Sequence, residues 1–426
     1  MLDGYFFVFK YAFNILIIGE FMISASARPY IDASVPVLRA HGLAITTTFY
    51  RNMFVAHPEL TNLFNMGNQA SGVQQQSLAA AVFAYAANIG NTAALGPVIE
   101  RIVQKHLSVG IRAEHYPIVG QYLIGAIQET LGDAATAPLL AAWVEAYDSL
   151  ARLLINAEKK AYAQAGIMPG QLRNMRVTQR HNESTGIVSF VLEPMDGDAV
   201  PSFKPGQYIS VAVDLGDGHR QLRQYSLSDA PGLDHLRISV KRELAQPEAP
   251  RGEVSNWIHD NIKEGSVLQV THPFGEFTPD TESAEPIVLL SAGIGITPMI
   301  AVLNRIAIKQ PSRPMIFSHA ARDSDHLSHR RDLDAAQARM PNLQIITFLE
   351  TTTAGSSGDQ SIVGQARTGL MEIAQLPSWP RSETNVYLCG PIGFMKAQWQ
   401  ALVAAGVPLT HVHREVFGPE MLDTLI

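Results

Sequence analysis

Apolar residues are spaced in three different ways along this chain. From Pro29 to about Ala165 they recur three and four positions apart, as at Val98, Ile99, Ile102 and Val103, the repeat of helices with one buried face. Gly96-Pro97 and Gly110 punctuate this run, and β-branched alternation is scarce. After Gly166-Ile167-Met168-Pro169-Gly170 the texture changes to short alternating stretches at 187–192, 208–213, 236–240 and 267–271. Turn clusters such as Asp196-Gly197-Asp198 and Asp217-Gly218 separate them, which predicts a small antiparallel barrel. From about Pro286, apolar runs at 287–290, 315–318, 343–348 and 386–388 alternate with helical stretches. That alternation predicts a parallel α/β sheet. The expected architecture is multidomain: an all-α domain over 28–166, an antiparallel β-barrel over 171–281 and an α/β parallel-sheet domain over 285–426.

Length agrees, since 426 residues at roughly 150 per domain suggest about three domains. With 46% hydrophobic and 17% charged residues the composition is globular. A net charge of −7 argues against non-specific nucleic-acid binding. Cys389 is the one cysteine, so an intrachain disulfide, a zinc–thiolate cluster and a Cys-ligated iron–sulfur centre are all excluded. A reducing compartment fits, and the cytoplasm is the expected location. Residues 1–27 form an atypical apolar extension. Tyr5 to Ser24 is strongly apolar, and Ala25-Ser26-Ala27 resembles a cleavage site. Yet Asp3 precedes any basic residue, and Lys10, Asn14 and Glu20 interrupt the run. Charges near the centre of a span cost about 2.5–3.5 kcal/mol each. The extension therefore reads as an extra helix or start region without membrane association, with export or membrane insertion as the alternative.

Candidate chemistry enters first near Pro286. An apolar strand leads into Gly293-Ile294-Gly295-Ile296-Thr297-Pro298. Here glycines let backbone N–H groups approach a phosphate, Thr297 reads as an N-cap and Pro298 as the first helical position. Pro298 stands where a dinucleotide fingerprint has its third glycine, so alone this is equally a tight strand-to-helix turn. Leu388-Cys389-Gly390-Pro391 repeats the arrangement after another apolar strand. The barrel segment holds Arg223-Gln224-Tyr225-Ser226, suited to a pyrophosphate and a flavin ring. Pro205-Gly206-Gln207-Tyr208 precedes it, Gly252-Glu253-Val254-Ser255 follows at a helix start, and Glu415-Val416-Phe417-Gly418-Pro419 lies near the end. In this order the motifs resemble the ferredoxin–NADP reductase family from about Gln171 onward. The resemblance implies FAD at Tyr208, Arg223, Gln224, Tyr225, Ser226, Gly252, Val254 and Ser255. It implies NADH or NADPH at Gly293, Ile294, Gly295, Ile296, Thr297 and Pro298, with Cys389, Gly390 and Pro391. Phe417, flanked by Val416, Gly418 and Pro419, would cover the flavin where nicotinamide enters.

In the helical segment His106 falls on the apolar face of Val98, Ile99, Ile102 and Val103. Taken alone, such a histidine is usually a satisfied core residue. Likewise Tyr50 reads as core, and Glu158, beside Lys159 and Lys160, as a solvated residue. The surroundings change this reading: Phe49-Tyr50-Arg51-Asn52-Met53-Phe54, Pro58-Glu59-Leu60, Leu63-Phe64-Asn65, then Gln74 and Leu78 one turn apart, Tyr116 and Glu158. These residues resemble the globin domain of bacterial and fungal flavohaemoglobins from about Arg28 to Tyr162, and the likeness continues through the reductase segment. It implies haem b with His106 as the iron ligand and Phe64 against the porphyrin. It implies Tyr50, Gln74 and Leu78 on the distal side, Tyr116 and Glu158 on the proximal side, and Lys105 beside the ligand.

The activity implied is nitric oxide dioxygenase: NAD(P)H reduces FAD, FAD reduces haem, and nitric oxide is oxidised to nitrate with O2. A monomer would suffice. Two alternatives stay open, an NAD(P)H-dependent oxygen, ferric or peroxide reductase, and a haem oxygen carrier or sensor. His411-Val412-His413 looks metal-like but falls in an expected strand and reads as structural. His326 and His329 read as solvated surface in a charged stretch.

Overall fold

The computed structural model describes residues 23–216, 218–245, 250–351 and 362–418. The apolar run up to residue 22 and Pro419 lie outside the described residues. The chain divides into two compact units between Gln171 and Leu172.

The first unit is helical: α1 (Arg28–Ala56), α2 (Met66–Ala70), α3 (Val73–Asn88), α4 (Thr92–Val109), α5 (His115–Leu131) and α6 (Ala137–Ala165). Helix α1 starts with Pro29 in its first turn, where no intrahelical N–H is needed. It buries Ile31, Leu38, Ile45, Phe49 and Met53 along one face. Helix α6 buries Trp143, Ala146, Leu153, Leu154, Glu158 and Tyr162 in the same way. Glu158 therefore sits in an apolar stripe, 3% exposed, and not on the solvated face beside Lys159 and Lys160. Among the described residues no helix is long and apolar enough to cross a membrane.

The second unit contains two sheets. Strands β1 (Arg173–Ser184), β2 (Ile187–Pro194), β3 (Tyr208–Asp214), β4 (Arg220–Ser226), β5 (Leu236–Lys241) and β6 (Val267–Val270) form an antiparallel sheet in the order β4-β3-β6-β1-β2-β5. A bridge between Leu227 and Ile238 joins its two edges, so the sheet curls into the expected barrel. Phe190, Ile209, Val211, Ile238 and Val240 fill it, and α7 (Glu253–Asn261) covers it with Val254 and Ile258. Strands β1 and β4 are missing from the sequence reading. Their outward positions are charged or amide-bearing, and it is the ladders to β2 and β3 that make them strands.

The other sheet is parallel, with β7 (Ile287–Ala292), β8 (Met315–Ala321), β9 (Leu343–Leu349), β10 (Gln365–Thr368), β11 (Asn385–Cys389) and β12 (Val412–Glu415) in the order β10-β9-β8-β7-β11-β12. Helices α8 (Ile296–Lys309) and α9 (Arg330–Arg339) pack Met299, Ile300, Leu303 and Leu333 with Ile287 and Leu289. On the opposite face, α10 (Ile392–Ala404) contributes Leu402, which joins Val288 and Leu290. Both faces are buried, which is why these strands read as unbroken apolar runs. Strand β10 is exposed along its length and carries no such run.

Two local readings are corrected. Thr297 is no N-cap: the 3-10 turn Gly293–Gly295 feeds directly into α8, so the chain is already helical at Thr297 and its hydroxyl donates back to the Ile294 carbonyl (3.0 Å). His329 is no surface residue. It is fully buried with φ 57°, at the N-cap position of α9, and its Nδ1 lies 3.1 Å from Asp332. Arg330 and Arg331 beside it are exposed, whereas His329 and Asp332 turn inward. His326 remains half-buried, held to Asp323 at 2.5 Å. His413 lies in β12 with its ring stacked on Tyr387.

Candidate functional site

In the helical unit His106 lies in the last turn of α4. Its Nδ1 is 2.7 Å from Oε1 of Glu158 on α6 and 3.0 Å from Oη of Tyr116 on α5. The Tyr116 hydroxyl donates to the same Glu158 oxygen at 2.5 Å. Side chains from two helices thus converge on one carboxylate carried by a third. With Nδ1–H donating to Glu158, the neutral ring keeps its lone pair on Nε2. Among the described residues Nε2 has no hydrogen-bond partner, and the side chain is 31% exposed. A free imidazole nitrogen whose other nitrogen is fixed by a carboxylate suits an iron ligand. Burial, then the Glu158 carboxylate, raises the Tyr116 phenol far above its ordinary range, so it remains a donor. Tyr147 on α6 donates to the Tyr116 backbone carbonyl at 2.6 Å and steadies this corner. Lys105 is half-buried beside His106 on α4.

Tyr50 is buried on α1 among Phe49, Phe54 and Phe64, with ring centroids 4.7, 5.6 and 5.7 Å away. Gln74 Nε2 on α3 donates to its hydroxyl at 3.5 Å, the long limit for such a bond. Burial pushes the Tyr50 phenol up to about 12, with Gln74 and Gln69 opposing the shift. Gln69 and Gln75 also stand at this site, although no motif in the sequence marks them. Asn65 caps α2 through the Gly67 and Asn68 N–H groups and so sets Gln69, whose Oε1 accepts from Gln75 at 3.0 Å. Gln69 Nε2 and Gln75 Oε1 are buried without partners. A run of amides inside a helix with no charged residue was the available signal. Leu78, Val82 and Phe83 of α3 stay only half-buried, an apolar surface that fits a flat macrocycle.

In the barrel, Arg223, Gln224, Tyr225 and Ser226 occupy β4, with Ser226 paired to Tyr208 on β3. Arg223 Nη1 donates to Gln221 and to the Leu222 carbonyl, and among the described residues no carboxylate lies within salt-bridge distance of it. Burial lowers its pKa. A half-buried guanidinium lacking a counter-ion suits a pyrophosphate. Burial raises the Tyr225 phenol. The Tyr208 ring is buried against Gly275, whereas Tyr225 is half-buried. Gly252 caps α7, Val254 is core, and Ser255 Oγ accepts from the Glu243 N–H (3.2 Å).

In the parallel lobe, β7 and β11 are neighbours although three strands separate them in sequence. Strand order reverses between them, and the carboxyl ends at such a switch point form a crevice for ligands. Gly293–Gly295 follows β7 and Gly390-Pro391 follows β11. The two turns touch: a Cβ on Gly295 would meet the Cys389 carbonyl oxygen at 2.3 Å, and one on Gly390 would meet Ala292 Cβ at 3.1 Å. Two sequence motifs nearly a hundred residues apart thus form one backbone surface. Ile296, Thr297 and Pro298 are buried beneath it, Ile294 is half-buried, and Pro391 is exposed at the N-cap of α10. Burial, then Glu415, raises the Cys389 thiol, so this residue contributes backbone and not a reactive sulfur. Val416, Phe417 and Gly418 follow β12 at the same end of the sheet, and the Phe417 ring is 45% exposed.

These features define a class: a globin-type helical unit with a carboxylate-fixed histidine, followed by a flavin- and nicotinamide-type reductase unit. Three family descriptions match the chain, Globin over 47–154, Oxidoreductase FAD-binding domain over 174–278 and Oxidoreductase NAD-binding domain over 289–400. The flavohemoprotein of Bordetella parapertussis is 44% identical, covering 93% of this chain and 99% of that protein. That of Chromobacterium violaceum is 45% identical, covering 93% and 98%. A Malassezia yamatoensis flavohemoglobin crystal structure with bound FAD and heme superposes with TM-score 0.81 at 31% identity, over 93% of this chain and all of that one. The chain belongs to the flavohemoprotein family and is an oxidoreductase with globin, FAD-binding and NAD-binding domains.

Proposed function

We propose that this protein is a nitric oxide dioxygenase. Two nitric oxide and two O2 molecules, with one NAD(P)H, give two nitrates, NAD(P)+ and a proton. When bound, haem supplies an iron centre for O2, and FAD converts the two-electron hydride into single electrons. His106 would hold the iron through Nε2. Glu158 and Tyr116 orient its ring and raise its basicity, which favours oxygen activation over simple carriage. Tyr50 is a protonated donor facing Gln74, suited to holding an oxygen species that gains negative charge. Arg223, Tyr225 and Ser226 would hold FAD, and the paired turns at Gly293–Gly295 and Gly390 would hold the NAD(P)H pyrophosphate.

The observation that carries this reading is the His106–Glu158–Tyr116 triad in the same chain as a complete reductase unit. A carrier or sensor needs no continuous electron supply. The crystal structure of a FAD/NAD-binding domain named as part of a Vibrio cholerae nitric oxide dioxygenase is similar at 35% identity and TM-score 0.52, covering 58% of this chain. The test is nitric oxide consumption in air by haem- and FAD-loaded protein, with and without NADH, while nitrate is counted. NADH-dependent loss with nitrate in proportion supports the dioxygenase. NADH oxidation indifferent to nitric oxide would replace it with an oxygen, ferric or peroxide reductase.

A further inference from the structure

A buried polar knot ties together the two lobes of the reductase unit, and no step above uses it. Asp332, in the first turn of α9, has a side chain only 10% exposed. Its Oδ1 accepts from Arg237 Nη2 of β5 at 2.8 Å and from Asn304 Nδ2 of α8 at 2.8 Å. Its Oδ2 faces His329 Nδ1 at 3.1 Å. Asn304 also donates to Asp229 Oδ1 at 2.9 Å, and Arg237 Nε donates to the Ser228 carbonyl at 3.1 Å. Burial alone would raise the Asp332 carboxyl, but His329 and Arg237 hold it far below the usual carboxylate range, so the knot is ionic. His329 keeps φ at 57°, alone among the described non-glycine residues with positive φ, where it presents its ring to Asp332.

The two ends of this knot attach to the two cofactor segments. Ser228 and Asp229 lie two and three residues beyond Ser226, the last residue of the β4 motif. Asn304 lies on α8, the helix continuous with the Gly293–Gly295 turn. Apolar packing between lobes permits sliding, whereas hydrogen bonds fix direction as well as distance. Hydride transfer needs donor carbon and acceptor nitrogen in contact, and a displacement of about 1 Å costs about a hundredfold in rate.

We propose that Asn304, Asp332 and Arg237 are positioning residues for hydride transfer, locking the nicotinamide-holding turn against the flavin-holding strand. This rests on the cofactor reading above but not on the identity of the final acceptor. The step they serve moves hydride from the nicotinamide to the flavin, oxidising the first and reducing the second.

The test uses full-length holoprotein without O2 or nitric oxide, and follows flavin bleaching by NADH in a stopped flow. Asn304→Ala leaves the Arg237–Asp332 pair intact. It is expected to slow bleaching about tenfold and to weaken the long-wavelength charge-transfer absorbance of the nicotinamide–flavin complex. FAD content and NADH affinity should stay within about twofold, and amide exchange at Gly293–Gly295 should rise even before nucleotide is added. The pair Arg237→Met with Asp332→Leu, which keeps the core packed without charge, should show the same pattern. Unchanged bleaching and an unchanged charge-transfer band in both variants, whatever happens to thermal stability, would reduce the knot to a structural bond. Failure of NADH to bleach the flavin of the unsubstituted protein would instead overturn the cofactor reading itself, and the proposal with it.

Discussion

Around His106 the polar groups are bonded to one another at 2.5, 2.7 and 3.0 Å, and Glu158 is 3% exposed. Around Tyr50 the contact to Gln74 is 3.5 Å long, and among the described residues Gln69 Nε2 and Gln75 Oε1 are buried without hydrogen-bond partners. On the His106 side the protein alone satisfies Glu158, the Tyr116 hydroxyl and the histidine Nδ1. The Tyr50 side holds one amide donor and one amide acceptor in reserve, an arrangement that suits a small ligand arriving and leaving. An unsatisfied buried amide costs about 1–3 kcal/mol, so this looseness is a strain that a bound molecule can relieve.

Substitutions can break this contrast. The largest effect is expected from His106→Ala, which removes the proposed iron ligand. Haem content and nitric oxide consumption should collapse while NADH-driven dye reduction persists; a variant that keeps its haem spectrum would remove His106 from the ligand role. Tyr50→Phe comes next. A charge-assisted hydrogen bond is worth about 1.5–3 kcal/mol, so oxygen release should quicken about tenfold to a hundredfold. Flavin reduction should be unaffected, and unchanged release rates would leave Tyr50 as core packing. Glu158→Gln keeps the shape but loses the charge. Haem should be retained, with the iron–histidine vibration shifted down and turnover reduced about tenfold. A normal vibration would count against the proximal reading. The smallest effect is a null one. With Tyr50 raised to about 12 by burial, its proton stays on below that pH, so oxygen release should be flat from about pH 6 to pH 10 and quicken only as the pH nears 12. A slope through the ordinary tyrosine range near 10 would show Tyr50 to be solvated.

Legibility in the sequence followed burial. Strands β2, β3, β5 and the parallel strands from β7 to β9 were readable because each turns at least one face to a core and carries the apolar rows that this requires. Strand β4 was legible as chemistry but not as structure, since Arg220, Arg223 and Gln224 interrupt any apolar alternation along it. Gln69 and Gln75 were hard to read because their one signal, a run of amides in an uncharged helix, carries no apolar periodicity to mark a buried face. His329 was misread for a related reason: its charged neighbours describe their own side chains and not the direction of the chain between them.

What the sequence determined by itself is the order of three architectures and the residue types at their strand ends and helix faces, since periodicity and turn chemistry act over a few positions. Only the tertiary structure decided which distant residues meet. Glu158 is a carboxylate among lysines until α4, α5 and α6 pack and aim it at His106. Gly295 and Gly390 are separate turns until the parallel pairing of β7 with β11 brings them into contact. Asp332 is one acid in a charged helix until β5 and α8 supply Arg237 and Asn304. Those encounters depend on packing over long loops, and no local pattern records them.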